Sequence, residues 1–168
     1  MAIVTTAGAG MKAAGRATIL QVRAPLSTAR AIELEAAALV ATSPVPVVVS
    51  SRCDIALAAG AAGVNLPEND IPVAAARALL GERLVGRSVH SLESALRAES
   101  EGADYVIFGP VWVSASHLAS TPAGIKALAQ VAHAVRIPVL AIGGVTEERV
   151  AECHAAGAAG YAAIGLFE

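Results

Sequence analysis

The sequence is poor in several features that would point away from a small α/β protein. Aromatic residues make up only 3% of its 168 residues. The core must therefore be assembled from Ala, Val, Leu and Ile, which suits short Ala-rich helices around Val/Ile strands better than a β-sandwich. There is no excess of basic charge. A formal net charge of −2 offers no field for nucleic acid or for an anionic membrane surface. No uninterrupted apolar run reaches the roughly 18 residues needed to cross a bilayer, although 55% of the residues are hydrophobic. Met1 to Gly10 lack the basic start and long apolar stretch of a signal peptide. Only two cysteines occur, Cys53 and Cys153. They stand far apart without a metal-ligand spacing, so they read as structural thiols suited to the cytoplasm. The expectation is a cytoplasmic protein with no nucleic-acid and no membrane partner.

What is present is an alternation. Short β-branched runs recur at Ala2–Thr5, Thr18–Val22, Val45–Val49, Gly63–Leu66, Leu84–Ser88, Tyr105–Phe108, Pro138–Ile142 and Gly160–Ile164. Most are apolar on both alternating faces, the pattern of a parallel sheet buried on both sides. Helical stretches lie between them. Ser27, Ser91 and Thr146 stand at helix starts, and Thr121-Pro122 opens Ala123–Val135 with proline at the first helical position. Glu147 and Glu148 follow Thr146 and complement the helix dipole. A supersecondary repeat is visible in Ala59–Val64, Glu101–Val106 and Ala156–Tyr161. Each reads as a helix stopped by a C′ glycine and a tight turn into a strand.

Eight such strands predict one domain over residues 1–168, a (β/α)8 TIM barrel. No Gly-rich dinucleotide fingerprint follows the first strand, which disfavours an open doubly wound sheet. The chain is short for the barrel, which usually exceeds about 200 residues. The first helix is confined to Ala7–Arg16, with three glycines, and nothing after Glu168 supplies an eighth helix. Strands eight and one should then carry an apolar patch, covered by a second subunit in a homo-oligomer or belonging to a larger barrel that has been truncated.

In this fold, functional residues lie at the C-terminal ends of the strands, and phosphate is held after strands seven and eight. Gly143 and Gly144 follow strand seven and lead into a helix; Ile164-Gly165 follows strand eight; Gly124 sits at the start of the preceding helix. Glycines permit close approach of backbone, and free N–H groups supply donors to an anion. A plain tight-turn role for these glycines is the alternative.

Six segments carry a family resemblance: Asp54–Ala58, Val64-Asn65-Leu66-Pro67, Gly86–Glu93, Ala103-Asp104-Tyr105-Val106, Phe108-Gly109-Pro110-Val111 and Ala141–Thr146. In this order they resemble the thiamine phosphate synthase and TenI family, from about Ile19 to Phe167. Gly86–Glu93 and Val64–Pro67 are closer to the TenI (thiazole tautomerase) branch, and Gly109-Pro110-Val111 to the synthase branch. The resemblance implies a small-molecule substrate, a thiazole phosphate, and two reactions. A synthase joins it to a pyrimidine pyrophosphate and needs Mg²⁺ and cations to neutralise the departing group. A tautomerase shifts a proton with an acid and a base, without a cofactor.

Departures from the synthase pattern favour the tautomerase, and the accumulated loss of reactive residues leaves a catalytically degenerate phosphate-binding or regulatory barrel as a further reading. Gln21 and Arg23 match its first motif, but Ala24-Pro25 stand where a lysine is expected. Ser50-Ser51 replace Asn-Asp after strand three, and Ser114–His117 replace Thr-x-Thr-Lys. Asp70 is the one metal ligand left for a synthase, although a helix N-cap is its stronger reading. The TenI acid/base histidine is Pro110 here. His117, on the loop after strand six, and His90, after strand five, are the remaining catalytic candidates, against roles as a solvated and a helix-start histidine. Gln21, Arg23, Ser51, Arg52, Ser88 and Trp112 complete the expected substrate site, with surface pairing as the alternative for the arginines and packing as that for Trp112.

Overall fold

A computed structural model of the chain describes residues 1–113 and 121–167. All eight strands form: β1 (Ala2–Val4), β2 (Leu20–Val22), β3 (Val47–Ser50), β4 (Gly63–Leu66), β5 (Leu84–Val89), β6 (Tyr105–Phe108), β7 (Val139–Ile142) and β8 (Gly160–Ala162). They pair in parallel and in sequence order. The ends meet: Ala2 bridges Ala163, the Ile3 amide donates to the Ala163 carbonyl at 2.9 Å, and the Ala163 amide donates to the Met1 carbonyl at 3.2 Å. The sheet is a closed barrel.

Seven helices cover it among the described residues: α1 (Ala7–Ala13), α2 (Ala29–Thr42), α3 (Cys53–Ala58), α4 (Val73–Leu80), α5 (Leu92–Ser100), α6 (Gly124–Ala134) and α7 (Glu147–Ala155). None is long and apolar enough to cross a membrane. Helix α1 is as short as the sequence predicts. Gly10 lets it work, because a Cβ there would stand 2.7 Å from the Leu39 methyls of α2. In the repeated helix-to-strand turns, Gly60, Gly102 and Gly157 have φ of 66°, 92° and 90°, the left-handed region that an L side chain enters only at a cost.

Helix starts differ in detail from the sequence reading. Thr28, not Ser27, caps α2, accepting from the Ala31 amide at 3.2 Å. Ser91 caps α5 in a capping box with Ser94. Helix α6 begins at Gly124 with Ala123 as its cap, so Pro122 falls outside it. No side chain caps α4, whose N-cap is Pro72. The Val73 amide instead donates to Glu101 Oε2 at 2.9 Å. Asp70 is therefore not the helix cap the sequence suggested.

Two cores result. The larger lies between sheet and helices and includes Leu20, Leu39, Leu66, Val85, Phe108 and Leu128. The smaller fills the barrel with Met1, Ile3, Val48, Tyr105, Ile107 and Ala162. Of the expected patch on strands one and eight, the β8 part persists: Gly160 and Tyr161 are half-buried and Ile164 beyond them is exposed. Strand β1 is buried throughout. A single 3₁₀ turn, Gly165–Phe167, follows β8 and stacks Phe167 on Tyr161 at 5.9 Å between ring centroids.

Candidate active site at the barrel mouth

Because side chains alternate along a strand, every second residue points into the barrel. The last inward position of each strand floors a cavity of about 610 Å³ at the C-terminal end, within the usual size of a small-molecule site. The floor is divided. Strands β2 to β5 contribute Gln21, Ser50, Asn65 and Ser88, whereas β6, β7, β8 and β1 contribute Ile107, Ile142, Ala162 and Ile3. Asn65 donates to the Ser88 hydroxyl at 3.0 Å. Gln21 Oε1 and Asn65 Oδ1 are buried without a partner. A buried acceptor left unpaired costs free energy that a ligand N–H or O–H would recover.

The rim is built by loops. His90, Glu68 and Arg23 line the polar side. The His90 ring is anchored through Nδ1 to the Gly109 carbonyl. A carbonyl only accepts, so Nδ1 carries a proton and Nε2 is the imidazole's remaining acid/base position. The His90 amide donates to Glu68 Oε1 at 3.0 Å. Burial works to raise the Glu68 pKa, but hydrogen bonds from Ser94 and the His90 amide, with the His90 charge, outweigh it and hold it below the ordinary value. Asp70 lies beside this turn. Its Oδ2 accepts from the Ser51 hydroxyl, and its Oδ1 from the Ile71 amide at 2.7 Å. Ser51 has a φ of 67°, uncommon for a residue with a side chain.

Opposite lie the glycine loops. Gly143, Gly144, Ile164 and Gly165 all line the cavity. Gly143 and Gly144 have φ of 90° and 67°. The Gly143 carbonyl accepts from the Trp112 amide at 3.0 Å, and the Gly144 carbonyl from Arg149 Nη1 at 2.6 Å.

Of the residues singled out by sequence, Gln21, Arg23, Ser88, His90, Gly143, Gly144, Ile164 and Gly165 are brought together at this cavity. Five stand elsewhere, among them Asp70, which faces Ser51 off the cavity. Gly124 is off the cavity, and its amide is used by the Val111 carbonyl at 3.1 Å. Trp112 packs beneath Arg149, whose guanidinium carbon lies 4.9 Å from the ring centroid. Arg52 pairs with Asp54 through Nε at 2.8 Å and Nη2 at 2.5 Å and is off the cavity. Ser51 faces Asp70, and its neighbour Ser50 takes the cavity wall. His117 lies outside the described residues. Sequence reasoning missed Ser50, Asn65 and Glu68 as lining residues. Their signal was position, at or just beyond the C-terminal ends of β3 and β4.

Residues 4–167 match the family described as Thiamine monophosphate synthase. The chain belongs to that family. A thiamine-phosphate synthase of Chloroflexus aurantiacus is 40% identical over 154 residues, covering 89% of this chain and 71% of that protein. Another, from Anaeromyxobacter dehalogenans, is 47% identical over 150 residues, covering 86% of this chain and 67% of that protein. The chain spans a smaller share of other relatives, 64% of one from Aquifex aeolicus and 55% of one from Geobacter sulfurreducens. Among solved structures, a thiamine phosphate pyrophosphorylase from Pyrococcus furiosus superposes with a TM-score of 0.85 at 32% identity, covering 94% of this chain and 78% of that one. The relatives' names follow the synthase branch of the family, and nothing in the comparisons favours the TenI branch to which two of the sequence motifs lean.

Proposed function

We propose that the barrel mouth binds a thiazole phosphate and a pyrimidine diphosphate and joins them, as a thiamine-phosphate synthase. The divided cavity floor carries this reading. Unpartnered Gln21 Oε1 and Asn65 Oδ1 suit a heterocycle bearing N–H donors, and the apolar half suits the second ring. Arg23 and the glycine loops after β7 and β8 suit the anionic groups, with the loop carbonyls of Gly143 and Gly144 turned to protein donors. In the reaction the bond from the pyrimidine's carbon to the diphosphate oxygen breaks, its electron pair leaves with diphosphate, and the thiazole ring bonds to that carbon.

Mg²⁺ is held elsewhere by one or two carboxylates together with substrate phosphates and waters. Asp70 is free of the helix-cap role, but its Oδ2 accepts from Ser51 and its Oδ1 from the Ile71 amide, and neither Asp70 nor Ser51 lines the cavity. Among the described residues no cluster of three His, Cys, Asp or Glu could hold a metal, so substrate phosphates would have to supply the remaining ligands of such an ion. Bound there, the metal would neutralise charge on the departing diphosphate. The chain's own contribution is to orient both rings, exclude water from the floor and set Arg23 near the anion.

One observation favours a second reading on the same ligand. His90, with Nδ1 fixed on Gly109, lines the cavity as its one imidazole among the described residues, and its Nε2 position suits a metal-free proton shift on the thiazole. A single experiment separates the two. Purified protein is given both substrates, with Mg²⁺ and with chelator, and separately the thiazole tautomer alone. Mg²⁺-dependent product, with His90→Ala changing its rate by only a few-fold, supports the synthase. Turnover of the lone tautomer that His90→Ala lowers by about 10²-fold or more supports the tautomerase and overturns the first reading.

A further inference from the structure

We infer that Arg87 is a positioning residue for the mouth, holding from beneath the turn that carries Glu68 and Asp70. Arg87 lies on β5 between Gly86 and Ser88, whose positions point into the barrel, so its own side chain runs on the opposite face of the sheet. It is only 8% exposed. Its Nη1 donates to the Pro67 carbonyl at 2.7 Å and its Nη2 to the Ile71 carbonyl at 2.9 Å. Those two oxygens bracket Glu68, Asn69 and Asp70. The Pro67 carbonyl also accepts from the Asp70 amide at 3.1 Å, so the guanidinium and the turn's own closing bond share one oxygen.

A buried cation is usually retained opposite a carboxylate. Among the described residues no ion pair includes Arg87; its hydrogen bonds go to backbone. The choice of arginine follows from geometry. A planar fork with donors on two nitrogens reaches both ends of a five-residue turn at once, whereas an ammonium is a single point. Through that clamp Glu68 is kept against the His90 amide and Asp70 against the Ser51 hydroxyl. Of the cavity-lining residues Arg87 hydrogen-bonds only to the Pro67 carbonyl, at the start of the turn, and so acts through the turn.

The effect on turnover rests on the synthase reading above; the effect on the turn does not. Arg87→Gln and Arg87→Lys are made in the full chain, and amide hydrogen exchange is followed at Glu68–Ile71 and at Val139–Ile142. Arg87→Gln should speed exchange at Glu68–Ile71 by about tenfold or more while leaving the β7 amides unchanged. It should lower kcat by about tenfold or more, as a displaced catalytic constellation does, while affinity for thiazole phosphate at the opposite loops stays within about twofold. Arg87→Lys should recover part of both losses. Unchanged exchange at the turn, equal acceleration in both segments, or loss of the fold in both variants would overturn the positioning role. A wild-type protein that makes no product leaves the exchange comparison intact and counts only against the synthase reading.

Discussion

At the scale of single residues, short-range pairing decides which charges can serve the site. Arg52 and Asp54 are two positions apart at the start of α3 and meet through two hydrogen bonds. The pairing, chiefly the Arg52 hydrogen bond, holds the Asp54 carboxyl at about 2, below its usual value of about 3.9. A depressed carboxylate pKa adds stability that is present above the unfolded value and lost as pH falls through the folded one. The pair is exposed, so the effect is modest. The melting-temperature gap between wild type and Asp54→Asn should therefore narrow steadily from about pH 5 to about pH 2.5. A gap constant with pH would show that the Asp54 charge adds nothing to stability. Arg87 makes the complementary point, since its hydrogen bonds are spent wholly on backbone carbonyls.

At the scale of elements, the repeated turn sets strand register. Helix α5 ends at Ser100, Gly102 takes a φ of 92°, and the Asp104 amide then donates to the Val85 carbonyl at 2.8 Å, which aligns β6 on β5. Gly102 has open space where a Cβ would go, so substitution there reports conformation without a clash. Gly102→Ala should cost about 1–2 kcal/mol, read as a lower urea midpoint with an unchanged slope. A neutral outcome would mean that the turn relaxes to negative φ without disturbing the strand. The C′ glycines were legible because the motif recurs three times with the same spacing. The start of α6 was not. Thr121-Pro122 offered a good local signal, but the Ala123 and Gly124 amides are claimed by the Pro110 and Val111 carbonyls, and this tertiary pairing overrides the local preference.

At the scale of the whole molecule, closure is the notable outcome. With only a seven-residue α1, the barrel still joins β8 to β1. Part of the reason is Phe167, which is 6% exposed, belongs to the main core and stacks on Tyr161. One aromatic side chain thus covers apolar area beside β8. Phe167→Ala should destabilise the protein by about 3–5 kcal/mol, measured by chemical unfolding, and should expose dye-binding apolar surface along β8. A loss of less than about 1 kcal/mol would assign that cover to other residues.

Alternation of buried β-branched strands with capped helices, the C′ glycine repeat and the Gly143-Gly144 turn together determined the barrel, its strand order and the end that bears the site, because periodicity and backbone preference are local properties. The glycines after β7 and β8, Gln21, Arg23, Ser88 and His90 could be assigned to that end from the sequence alone. Tertiary structure decided the rest. It took Arg52 into a surface pair, Trp112 beneath Arg149 and the Gly124 amide onto Val111, and it freed Asp70 from capping α4 because Glu101, distant in sequence, reaches Val73 instead. It also placed Ser50 and Asn65 beside Gln21 and Ser88, making one half of the cavity polar. Those outcomes depend on which donors and acceptors the fold brings within about 3 Å of each other, and no spacing along the chain encodes that distance.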